Sequence, residues 1–136
     1  MGRSHIPRHR QRGQELVEFA LILPLLLLLM VGIFEFGYVV FAYNTLSNAV
    51  REGARLGSVN PVQADILERA RNLTTGLDQT QIASNTEGAP WTVVITETRV
   101  SVEVAYEHDL MTGFIFQPFG FGNTITLRAA SSMGIE

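Results

Sequence analysis

The chain has 136 residues, 46% of them hydrophobic, with no cysteine and a formal net charge of −3. That length holds one modest domain plus an appendage, and the absence of cysteine excludes a disulfide framework, a thiolate metal site and a cysteine nucleophile. All ten basic residues are arginine; Arg3, Arg8, Arg10 and Arg12 precede the first acid, and the remainder sets six arginines against thirteen acids, a balance that argues against a nucleic-acid partner, which needs a basic footprint.

Residues 1–13 form a basic leader. Beyond it, Phe19 to Phe34 is a run of sixteen residues without a charge, about 24 Å long as a helix. Extended to Tyr43 it includes one acid, Glu35, and spans about 37 Å, enough to cross a ~30 Å hydrocarbon core. Tyr38 and Tyr43 suit the outer interface. The positive-inside rule places the arginine-rich start in the cytoplasm and the residues after about 44 on the far side. A cleaved secretory signal is the competing reading, but the apolar run exceeds the usual signal core and no small-x-small site follows it. Pro24 removes one hydrogen bond inside the helix, a loss that membrane helices tolerate. It predicts a mild bend or a point of local melting in an assembly.

Three acids flank this run: Glu15, Glu18 and Glu35. A charge at the bilayer centre costs about 2.5–3.5 kcal/mol on insertion scales, so each needs a place. Glu15 takes no role beyond the leader boundary. For Glu35 the first expectation is a carboxylate reaching the outer headgroups; the alternative is a polar contact to Arg51 or Arg55 of a neighbouring subunit.

Glu18 is the fifth residue when the count begins at Gln14, directly after Gly13, in the stretch Q-E-L-V-E-F. This layout resembles a type IV pilin N-terminus. In that family a membrane prepilin peptidase cuts after the leader glycine. "RGQELVEFALILPLLLLLMVGIFEFG" followed by "NTLSNAVREGARLG" is more narrowly similar to the TadE-like proteins of tight-adherence (Tad) pilus systems, which are pseudopilins or minor pilins. The resemblance covers Arg12 to about Gly57, and more loosely the C-terminal "LRAASSMGIE". It implies cleavage between Gly13 and Gln14, a single-pass protein of the cytoplasmic membrane with an extracytoplasmic head, and a role in assembling an adhesive pilus. The implied partners are membrane lipid, the peptidase, other pilin subunits and the Tad assembly machinery. Cutting would free an α-amine on Gln14 with a pKa of about 7.7–8.0. In a helix bundle that amine on one subunit can compensate Glu18 on another, which specifies register.

After Tyr43, Leu46, Ala49, Val50, Gly53, Ala54 and Gly57 recur at 3–4 residue spacing, an amphipathic continuation over about 44–58. Arg51, Glu52 and Arg55 lie off that stripe, at its solvated rim. Gly53 and Gly57 have close-packing spacing, a weak signal outside a membrane. Asn60-Pro61 predicts a break with Asn60 as cap and Pro61 in the first turn of a helix over about 61–76. In that helix Val62, Ile66, Leu67, Ala70 and Leu73 are in register. Residues 78–90 read as a loop.

From Trp91 the period changes. Strands are expected at about 91–97, 99–107 and 124–133, with Val100, Val102, Val104 and Tyr106 on one face of the second. Thr98 and its neighbours would make the turn between the first two strands. Phe114, Phe116, Phe119 and Phe121 between the last two are expected to cover the sheet, with an exposed binding patch as the alternative. The fold class is therefore α+β: a long membrane helix leading into a pilin-like head with a second helix and a short antiparallel sheet.

No nucleophile elbow, phosphate loop, zinc-protease helix or calcium loop occurs, and no cofactor is implied. His5 and His9 belong to the leader. His108-Asp109 reads as a turn at a strand end. A structural subunit is expected rather than an enzyme. The alternative functions are an uncleaved single-pass protein whose acidic head binds an external ligand, and a secreted domain freed from a signal.

Overall fold

The computed structural model describes residues 9–83, 91–120 and 122–135. One helix, α1 (His9–Val59), dominates it, continuous for 51 residues with Pro24 inside. The apolar run and the amphipathic stripe are thus two halves of the same rod. A second helix, α2 (Gln63–Asn72), packs on the upper half. Four strands follow: β1 (Ile82–Ala83), β2 (Trp91–Ile95), β3 (Arg99–Asp109) and β4 (Thr124–Gly134). A single turn of helix, α3 (Gly113–Phe116), interrupts the β3–β4 connection. The α+β class and the long strands agree with the sequence pattern.

The sheet is antiparallel and built around β3. β4 pairs along the whole of one edge, from Arg99↔Gly134 to Asp109↔Thr124. On the other edge β2 pairs with Val100–Val104 and β1 with Ala105 and Tyr106. Side chains alternate across a strand, and the expected inward row of β3 is buried: Val100, Val102, Val104 and Tyr106. It meets the stripe of α1, where Ala42, Leu46, Ala49, Val50 and Ala54 are buried, and Ile66 and Ala70 of α2.

Gly57 makes the closest passage. A Cβ there would stand 2.7 Å from Val100 Cγ1 and 2.8 Å from Ile66 Cδ1. The small residues at 53 and 57 therefore seat α2 and β3 of their own chain, which the spacing alone did not show.

Several boundaries differ from expectation. Val62, not Asn60, precedes α2, and it makes no side-chain cap. Asn60 instead reaches forward with its amide to Asp65 Oδ2 (3.0 Å). The helix stops at Asn72, where Thr74 turns its hydroxyl back to the Arg71 carbonyl (2.9 Å). β2 ends at Ile95 rather than 97, and the turn falls at Thr98 and its neighbours as expected, closed by Thr96, whose N–H and hydroxyl both donate to the Arg99 carbonyl (2.8 and 2.9 Å). His108 and Asp109 are paired strand residues opposite Ile125 and Thr124, not a turn. Residues 84–90 of the expected loop, Phe121, and the side chains of Phe114, Phe116 and Phe119 lie outside the described residues.

The direction of β3 sets the level of the chain beyond it. The strand starts beside Gly57 and ends near Tyr38, so it descends α1 toward the apolar half. The β3–β4 connection is therefore delivered to the level of Glu35.

Candidate functional site

From Gly13 to Phe34 every residue of α1 is exposed. Leucines at 21, 25 and 29 are 74%, 68% and 64% exposed. This stretch is long and apolar enough to cross a membrane. Helical backbone satisfies its own polar groups, so such a segment can enter hydrocarbon intact. An apolar surface this extensive, uncovered by the rest of the chain, requires an apolar partner outside it.

The two residues of the expected cut, Gly13 and Gln14, lie within α1, and nothing comes within 4 Å of the Cβ position at Gly13. One turn on, the Gln14 side-chain amide donates to Glu18 Oε1 (3.0 Å). In the uncut chain Glu18 thus has a neutral, local partner. Pro24 sits in unbroken helix. Arg3 and Arg8 lie outside the described residues; Arg10 and Arg12 are described as helical backbone only.

Glu35 ends the bare stretch, and its position corrects the sequence reading. It is 8% exposed. Its carboxylate does not reach for headgroups but turns into the head, where Thr112 donates its hydroxyl to Oε2 and its backbone N–H to Oε1 (3.4 Å). Arg55, one alternative partner, is engaged elsewhere in its own chain. Its guanidinium forms a two-pronged pair with Glu52 (both 2.9 Å), which Arg69 of α2 joins at 3.0 Å. The Arg55 hydrogen bonds, then the Arg69 one, hold the Glu52 carboxyl down at about 2.

Just above Glu35 a second polar contact ties helix to sheet. Tyr106 donates to Gln81 Oε1 (2.8 Å), so Tyr38 is the donor to Tyr106 (2.9 Å). Burial pushes the Tyr106 phenol well above its ordinary range. The His108 ring lies 4.7 Å from that of Tyr38. Its neighbour Asp109 points the other way and accepts from Thr124 (2.8 Å).

Sequence reasoning missed Thr112 and Tyr106 as partners of the helix, and Gln81 as the acceptor for Tyr106. A signal existed for Thr112. It is the only hydroxyl residue between Leu110 and Gly122, a segment without a charge.

The site is thus a membrane-length helix, uncovered below Glu35 and clasped by its own head above. Comparison with known families agrees with this architecture at its N-terminal end. A family model described as TadE-like protein matches residues 13–55. The TadE-like resemblance read from the leader, Glu18 and the following helix is shown for that segment. No curated protein and no solved structure matches the chain.

Proposed function

We propose that the protein is a membrane-anchored minor pilin, or pseudopilin, of a Tad-type pilus, with a structural rather than a catalytic role. The observation that carries this is a coincidence of position: the TadE-like match contains Gly13 to Phe34, the apolar stretch of helix that the head leaves uncovered. In this reading the arginine-rich leader stays in the cytoplasm, the lower half of α1 lies in lipid, and the head lies outside. A prepilin peptidase cuts after Gly13. Removing the leader frees the Gln14 amine, and Glu18 exchanges its neutral amide partner for the amine of a neighbouring subunit. The bare leucine surface then passes from lipid to the helices of other pilin subunits.

Intact-mass measurement of protein extracted from its native membrane tests the proposal. The expected mass begins at Gln14. A mass beginning at Met1 supports an uncleaved receptor whose acidic head binds an external ligand. Loss of the entire apolar stretch supports a secreted domain.

A further inference from the structure

We infer that the β3–β4 connection, Leu110 to Gly120, is a second membrane contact, lying in the outer leaflet beside α1 and touching phospholipid acyl chains. The inference rests on the reading that the lower half of α1 spans the bilayer, and adds to it a lipid-binding surface in the head.

Depth places the connection in lipid. Glu35 lies sixteen residues beyond Phe19, about 24 Å along the axis, within the ~30 Å that hydrocarbon occupies. Thr112 is bonded to Glu35, so the connection is held at that level.

Composition agrees. Leu110 to Gly120 has no charged residue, and includes Leu110, Met111, Ile115 and three phenylalanines. Met111 is 77% exposed, a position that is unfavourable in water and neutral in lipid.

Backbone hydrogen bonding within the connection lowers the cost of the placement. Irregular chain cannot face hydrocarbon unless its polar groups are satisfied. Here Leu110 N–H donates to the Asn123 carbonyl, Gly113 N–H to Leu110, Ile115 N–H to Thr112 and Gly120 N–H to Gln117. The close passage of Gly113 over Asn123, where a Cβ would stand 2.8 Å from Asn123 Cα, keeps this connection compact.

Surface shape is suited to acyl chains. An apolar groove lies on either side of the Glu35–Thr112 contact. Leu28, Gly32, Phe36 and Thr112 line one; Val31, Phe34 and Met111 line the other, together with Glu35, Tyr38 and His108. Both are floored by the lower face of α1, the face taken above to lie in lipid, so acyl chains covering α1 continue into them. Thr112 then acts as the internal partner that makes an acid tolerable at this depth.

The chain has no cysteine, so single-cysteine variants of the full-length protein report position directly. Leu29→Cys, Val59→Cys, Met111→Cys and Gln117→Cys would carry an environment-sensitive fluorophore in phosphatidylethanolamine/phosphatidylglycerol vesicles. Quenching by lipids spin-labelled on the upper acyl chain is compared with quenching by iodide on both faces. The expected result at 111 and 117 is lipid quenching comparable to position 29 and iodide quenching several-fold below position 59. Behaviour like position 59 overturns the inference. Shielding from both quenchers also overturns it, because protein rather than lipid then covers the segment. If position 29 itself escapes lipid quenching, the spanning reading fails, and the lipid placement of the connection fails with it. Position 29 therefore tells the two failures apart.

Discussion

The two halves of α1 are one secondary structure in two environments. From Phe19 to Phe34 the helix is apolar on all sides and touches little of its own chain. Above Tyr38 the apolar residues narrow to a stripe, and that stripe is buried under β3, β4 and α2. A helix hydrophobic all round needs a hydrophobic surrounding; one with a single apolar face needs a single partner. The upper half has its partner within the chain, so its side chains contribute to the folding of the head. The lower half has none, so its side chains add nothing to that folding; in the proposed function they serve insertion and association instead. The boundary is marked by the inward-facing Glu35 and Tyr38, each bonded to a residue near the lower end of the sheet.

The sharpest way to break this comparison is to truncate a leucine in each half. Leu46→Ala should destabilise the head by about 2–5 kcal/mol, the usual range for a buried leucine, followed by Trp91 fluorescence during unfolding. Leu21→Ala should move the same transition by less than about 0.5 kcal/mol while weakening recovery in the pilus assembly proposed above. Equal effects on the head would erase the distinction. Gly57→Ala adds one methyl where Val100 and Ile66 already meet the helix, and should cost about 1–3 kcal/mol by overpacking. The same change at Gly32, where nothing lies within 4 Å of a Cβ, should leave the head's unfolding unchanged.

Thr112→Val tests the boundary itself. It removes the hydroxyl donor to Glu35 and should cost about 1–2 kcal/mol, measured in vesicles. Adding Glu35→Gln should recover part of that loss, since the orphaned group is then uncharged. The smallest effect belongs to the rim. Glu52 is held at about 2 in the folded head against an ordinary 4.5. Its stabilisation is therefore present above pH 4.5 and lost as pH falls toward 2. Exposure and salt weaken the pair, so Glu52→Gln should lower the thermal midpoint only slightly at pH 7 and not at all near pH 2.

Local periodicity made much of this legible. The stripe Leu46 to Gly57 and the inward row Val100 to Tyr106 each arise from spacing within one element, and both are buried as that spacing requires. The contacts that set the boundary were not legible. Glu35 meets Thr112, and Tyr38 meets Tyr106, across 77 and 68 residues; each depends on how far β3 descends the helix. That length was underestimated because His108 and Asp109 look like turn residues, whereas β4 supplies Ile125 and Thr124 to pair with them. Two-residue β1 is too short to show a period. Asn60 resembled a cap, but its side chain found Asp65 instead. Glu18 was legible as an acid needing a partner; its bond to Gln14 in the uncut chain was not anticipated.

The proposed function requires one continuous helix that is lipid-covered below Glu35 and head-covered above it. Single cysteines at Leu21, Leu25, Ser58 and Val59, treated with a membrane-impermeant maleimide in native membranes opened to expose both faces, test this most directly. Rapid labelling is expected at 58 and 59, and none at 21 and 25 until the membrane is dissolved. Labelling at 21 and 25 in the intact membrane, at the rate seen for 59, would contradict it.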